Sequence, residues 1–259
     1  MSELTGLEQA TIDAFLAHAG RATLPFQRAH RPGPWATAFW FNELVGQDGD
    51  EELVRQYLVT AAEATRMDLA EVTLRPELGD PAPTAEKLMM TDFAEGWIHL
   101  GGLGVAVQPT AGLHAYARRK GWRWTTDEIT DGIAARAEDI ARIDGEPVRA
   151  YVLGHTVDEE GARDRAAVVG AILRTDDGDV RWGGELPQGC VGGPVFLGLP
   201  LEGDSLKLVC VGVALPPDDR GPGRHPVATF DRIRTALHAA AEDTPGPARE
   251  RRRWWRRRS

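Results

Sequence analysis

Between residues 36 and 215 the chain runs as short apolar segments separated by turn residues, with Gly, Pro and Asp frequent between them. The segments fall at 36–41, 56–62, 70–74, 97–100, 104–107, 148–153, 166–173, 194–199 and 206–215. Runs this short cannot be long amphipathic helices, and turn residues at this spacing predict an antiparallel sandwich or barrel. Strands do not alternate with helical stretches as in a doubly wound sheet, and no fixed-period repeat is present. Helices are expected at the margins. Residues 4–19 carry Leu4, Leu7, Ile12, Phe15, Leu16 and Ala19 at helical spacing, with Gly20 placed to end them. Residues 229–241 put Phe230, Ile233, Leu237 and Ala240 on one face, and a third helix is expected over 134–143.

A chain of 259 residues can bury one large β core or two barrels around a cleft. With 42% hydrophobic and 27% charged residues it reads as globular. No apolar run is long enough to span a membrane as a helix. The first twenty residues lack the basic start and apolar stretch of a secretory signal, and Cys190 and Cys210 cannot make a disulfide framework. A cytoplasmic location is therefore expected. The net charge of −9 conceals an asymmetry: residues 249–258 hold seven arginines and one glutamate, a local +6, which leaves about −15 on the body.

Four segments, read in order, resemble landmarks of the trypsin-like (chymotrypsin-fold) serine peptidases, in particular their signal-free bacterial branch. Ala36-Thr-Ala-Phe-Trp-Phe and Tyr57-Leu-Val-Thr-Ala-Ala-Glu63 resemble the hairpin that the family ends on its general-base histidine. Trp97-Ile-His-Leu-Gly-Gly-Leu-Gly104-Val-Ala-Val resembles the strand carrying the orienting aspartate. Gly145-Glu-Pro-Val-Arg-Ala-Tyr-Val-Leu-Gly and the run from Arg163 are similar to the strands opening the second barrel. Gly189-Cys-Val191-Gly-Gly-Pro-Val-Phe resembles the nucleophile loop, Gly-x-Ser-Gly-Gly-Pro. The resemblance covers about residues 36–240. It implies an all-β double antiparallel barrel with an N-terminal and a C-terminal helix. It divides the chain into a helical extension (1–30), the double barrel (31–243) and a disordered Arg/Trp-rich tail (244–259).

The chemistry that the resemblance implies is missing. Glu63, Gly104 and Val191 stand where the histidine, aspartate and serine belong. Valine has no nucleophile, glycine no carboxylate, and glutamate has no adjacent hydroxyl to deprotonate. A catalytically inactive module, a pseudoprotease that binds a protein or peptide partner, is the expected function. The alternative is an atypical serine or cysteine peptidase using Cys190, since some viral relatives place cysteine in this loop. Here it precedes the nucleophile position by one residue, and no base is evident to lower its pKa. Gly189 and Val191, with Gly192 and Gly193, are candidates for an oxyanion-type backbone nest that holds a carbonyl or carboxylate. Trp122-Arg-Trp124 is open to two readings, core packing or ligand contact.

His99, His114, His155 and His225 lack ligand spacing, so no metal and no cofactor is expected. The tail, with Arg251, Arg252, Arg253, Trp254, Trp255, Arg256, Arg257 and Arg258, has two readings. It is a solvated end, or it docks the protein to anionic membrane or nucleic acid through cations beside amphipathic rings.

Overall fold

In the hairpin of β2 (Trp35–Asp48) and β3 (Glu51–Ala61), alternate side chains enter two separate cores. Ala36, Ala38, Trp40 and Leu58 enter one, while Phe39, Phe41, Tyr57 and Val59 enter the other. Strands buried on both faces read as continuous apolar runs, which is why 36–41 and 56–62 are unbroken in the sequence.

The computed structural model describes residues 6–30, 35–49, 51–157, 163–202, 205–218 and 224–243. Helix α1 (Gly6–Ala19) precedes strand β1 (Thr23–Arg28). After the hairpin come β4 (Leu69–Thr73), β5 (Gly79–Asp80), β6 (Lys87–Thr91), β7 (Ile98–Leu100) and β8 (Val105–Pro109). Helix α2 (Ala111–Arg119), strands β9 (Arg123–Trp124) and β10 (Ile129–Thr130), and α3 (Ala137–Ile140) then lead to the second half. There β11 (Val148–Val157), β12 (Arg163–Arg174), β13 (Val180–Gly183), β14 (Pro194–Pro200), β15 (Leu206–Ala214) and β16 (Arg224–Thr229) precede α4 (Phe230–Asp243).

The first half is an antiparallel sheet in the order β6-β4-β1-β2-β3-β8-β7, with β10 added parallel to β2. It curls as a half-barrel around Leu24, Phe26, Trp40, Val72, Phe93 and Trp97. The second half closes as the six-stranded barrel β11-β12-β13-β16-β15-β14. Both terminal helices pack into the larger core: Phe15 of α1 stacks on Phe196 at 5.3 Å, and Phe230 of α4 lies 4.8 Å from Phe41. None of the described helices is long and apolar enough to cross a membrane.

Two expectations change in detail. Helix α3 is four residues long rather than spanning 134–143, because the backbone of Ile133 and Ala135 is taken up by Cys210 of β15. The segment 1–30 is more than a helical extension, since β1 lies inside the first sheet between β2 and β4. Pro25 hides this strand from sequence reading. The proline is tolerated because the ladder to β4 starts only at Phe26.

Candidate functional site

Where the two halves meet, the segment 187–193 makes a tight 3-10 turn. Cys190 N–H donates to Pro187 O at 2.8 Å, and Val191 N–H to Gln188 O at 3.0 Å. The chain then locks into the second barrel through Gly192 N–H to Ala214 O at 2.7 Å and Ala214 N–H to Gly193 O at 3.0 Å. Thr37 of β2 closes the turn from the other side, donating its N–H to Val191 O at 3.0 Å and its hydroxyl to Gly189 O at 2.6 Å. Two glycines are dictated by this proximity. A Cβ at Gly189 would lie 2.3 Å from His155 O and from the Trp35 ring. At Gly192, where φ is +84°, it would lie 2.3 Å from Thr60 Oγ1 and 2.4 Å from Thr37 O.

The residues flanking positions 63, 104 and 191 come together here. Ala62 N–H donates to Gly104 O at 2.8 Å, and a Cβ on Gly192 would be 3.1 Å from Ala61 N. Glu63 itself is exposed, in the 3-10 turn Ala62–Thr65 that follows β3, and Val191 is half-buried. Gly104 has φ +70°, and a Cβ there would come within 3.1 Å of the Leu215 side chain. The space that a side chain at residue 104 would need is thus taken by an aliphatic neighbour. His99 is tied elsewhere, its Nε2 lying 2.9 Å from the hydroxyl of Thr65, which donates to Ala62 O.

Three of the four N–H groups of the expected backbone nest are already bonded within the protein: Val191 to Gln188 O, Gly192 to Ala214 O and Gly193 to Cys190 O. Cys190 is fully buried, with Sγ 3.9 Å from His155 O, and burial pushes its thiol up to about 11. Burial raises the Cys210 thiol as well. A nucleophilic cysteine needs the opposite environment, an electropositive and accessible one.

The other candidates resolve into packing. Trp122 and Trp124 are buried 4.8 Å apart, Trp124 lies 5.2 Å from Trp40, and its Nε1 donates to Leu113 O at 3.1 Å. His114 Nε2 is 2.7 Å from Gln56 Oε1, and His225 Nδ1 is 2.9 Å from Leu215 O. No group of three His, Cys, Asp or Glu side chains suited to a metal occurs among the described residues. The tail residues from Arg251 to Arg258, Trp254 and Trp255 included, lie outside the described residues.

One participant that the sequence offered only as a rejected metal ligand is His155. It is fully buried on β11, and its Nδ1 lies 3.2 Å from Thr37 Oγ1, which joins it to Gly189 O through one hydroxyl. Burial, reinforced by Arg75, Arg165 and Arg163, lowers its pKa to about 3. No local sequence signal marks this residue, because its partners come from both halves of the molecule.

No protein-family model and no curated protein matches the chain. Solved structures do. An inactive form of Rv3671c from M. tuberculosis H37Rv, a serine-to-alanine mutant, aligns over 95% of this chain and 98% of its own, with 12% identity and a TM-score of 0.50. A catalytically inactive tobacco etch virus protease complexed with substrate aligns over 88% and 86%, with 7% identity and a TM-score of 0.50. The fold is that of the trypsin-like proteases. At these identities the likeness carries fold alone. It agrees with the order of elements: a curled sheet, a closed barrel, and the Gly-Cys-Val-Gly-Gly turn at their junction.

Proposed function

We propose that this chain is a trypsin-fold module that holds a protein or peptide partner at the junction of its two halves without cutting it. The observation that carries the reading is the combination at the junction. A half-buried valine sits in the turn, its N–H is already bonded, and Leu215 packs against a left-handed Gly104. A nucleophile, a general base, an orienting carboxylate and an oxyanion donor would each have to be rebuilt. The two thiols fit a reducing compartment, and a bacterial cytoplasmic setting is part of the proposal.

Two measurements test it. Full-length protein incubated with a broad library of unstructured peptides should select binders and release no fragments, and Val191→Trp should abolish the selected binding. Fragments that disappear with Val191→Ala or Cys190→Ala would establish a peptidase and overturn the reading. In parallel, iodoacetamide applied to the folded protein should label Cys190 no faster than Cys210. Preferential labelling of Cys190 would favour the cysteine-peptidase alternative.

The Arg/Trp-rich tail adds a second contact in this reading. Protein truncated after Asp243 should bind liposomes containing anionic lipid more weakly than the full chain, and Trp254→Ala with Trp255→Ala should weaken it at unchanged charge. Equal binding by all three would leave the tail a solvated end. Preference for an oligonucleotide over the liposome would make nucleic acid its partner.

A further inference from the structure

Between the turn that joins β7 to β8 and the outer face of α4 lies an open groove of about 560 Å³. Its walls are mainly apolar, with Leu100 and Leu103 on the turn and Ala236, Ala239 and Ala240 on the helix. The alanines follow from helical spacing: Phe230, Ile233 and Leu237 enter the core, which leaves 236, 239 and 240 on a face turned away from it.

Two of the polar groups in the groove are engaged within the protein. Arg232 donates to Asp179 at 2.9 Å, and the Thr235 hydroxyl donates to Asp231 O at 3.0 Å. His99 supplies an acceptor. The Thr65 hydroxyl gives its hydrogen to Ala62 O, so it accepts from His99 Nε2–H, and Nδ1 carries the lone pair of the ring. An apolar groove with one acceptor suits an apolar ring that carries one donor. An indole has that chemistry, and it covers about 150–250 Å² when it is buried.

The chain brings two such rings to this place. Ala239 and Ala240 lie one turn before the end of α4 at Asp243, so the residues that follow leave beside the groove. These are Thr244 to Ser259, in which Trp254 and Trp255 stand between Arg251-Arg-Arg253 and Arg256-Arg-Arg258. The stretch of α4 along the groove, 232–240, is about 12 Å long, and the segment from Thr244 to Trp254 can reach about 35 Å. Pro245-Gly-Pro247 has the composition of a turn and allows the chain to reverse. Charge favours the return, since residues 249–258 carry a local +6 against about −15 on the body. Carboxylates also stand at one end of the groove, in the turn Asp176-Asp177-Gly178-Asp179 that Arg232 contacts.

We propose that the chain's own tail occupies this groove. The Trp254-Trp255 pair lies against Leu100, Leu103 and the alanines of α4, one indole N–H donates to His99 Nδ1, and the flanking arginines face the Asp176–Asp179 turn. The docked pair is withheld from an anionic surface. The turn that it covers leads into Gly104, whose carbonyl holds Ala62 N–H at the junction. The seat does not depend on what the junction binds.

Indole N–H signals in nitrogen-15 NMR of the full chain test the seat, those of Trp254 and Trp255 being identified by their loss on substitution with alanine. At pH 7.5 and low salt they should differ from the signals of a synthetic peptide of residues 244–259, and diluting the protein about tenfold should not move them. Ala239→Gln, at an exposed helix position facing the groove, should return them to the positions of the peptide. His238→Gln, exposed on another face of α4 toward Glu43, should leave them in place. Ala239→Gln should also bind anionic liposomes about fivefold more tightly than the native chain, because it releases the tail. Native signals at the positions of the peptide, or signals indifferent to Ala239→Gln, would overturn the proposal. Signals that move on dilution would overturn it in favour of the tail of a second copy. Liposome affinity unchanged by Ala239→Gln would overturn the withholding. Absence of liposome binding by every form would instead remove the membrane reading of the tail, and the NMR signals would still decide the seat.

Discussion

Lowering the pH from 6.5 to 4.5 should remove about 2 kcal/mol of folding stability through His155 alone, and about 4 kcal/mol by pH 3. The sign follows from the direction of the shift. The folded imidazole is held neutral down to about pH 3, whereas in the unfolded chain it takes up a proton near its ordinary value of 6.5. Within that window the unfolded state binds more protons, so stability is full above pH 6.5 and falls as the pH drops toward 3. Other groups enter mainly at the acidic end. Glu71 and Asp139, whose pKa values are lowered by Lys87 and Lys207 against the effect of burial, act in the same direction within and below the carboxylate range. Glu43, raised by burial, acts in the opposite direction and offsets part of their loss. Comparing urea midpoints of the native chain with those of His155→Gln isolates the histidine. The variant should lose the slope between pH 6.5 and 4.5, and an unchanged slope there would mean that His155 is not a buried neutral imidazole.

That histidine also marks the limit of sequence reading. The β2–β3 hairpin, the Gly-Cys-Val-Gly-Gly turn and both terminal helices are written in local patterns: continuous apolar runs, obligatory glycines, 3.6-residue spacing. Their order along the chain was enough to expect the double-barrel fold. Strands β1 and β16 escaped because Pro25 and Pro226 break the pattern. Only the three-dimensional ladders show why they are tolerated, as with Pro226, which contributes just its carbonyl, accepting from Leu215 N–H at 2.9 Å. Three features depend on segments distant in sequence. The inward-facing Cys190 needs the Gly154 backbone beneath it, the filled Gly104 position needs Leu215, and the buried His155 needs Thr37. No window of the sequence contains any of these pairs. The bulky neighbours Trp122 and Trp124 show the reverse case, in which a conspicuous motif resolves into ordinary core packing against Trp40.

Neighbouring positions in the junction turn should respond in opposite ways to small substitutions. Gly192→Ala is expected to destabilise the protein by about 4 kcal/mol, the sum of a left-handed backbone forced on a residue with a Cβ and overpacking of the site. The added carbon would meet Thr60 Oγ1 at 2.3 Å and Thr37 O at 2.4 Å. The Thr37 carbonyl cannot yield, since it accepts the Thr60 hydroxyl at 2.7 Å and belongs to a strand paired on both sides. Val191→Ser, one residue earlier, should change stability by less than about 1 kcal/mol, because the side chain is half-buried and the backbone bonds to Gln188 O and Thr37 N are kept. Val191→Ser should also gain no hydrolysis, for no base reaches the new hydroxyl: Glu63 points to solvent and His99 is bonded to Thr65. Chemical denaturation of both variants beside a peptidase assay separates the two demands on this turn. If Gly192→Ala were as stable as the native chain, the two halves would not be clamped at Thr37 and Thr60. If Val191→Ser hydrolysed peptides, a base would have to reach residue 191 from outside the arrangement described, and the chain would be one substitution from an enzyme rather than several.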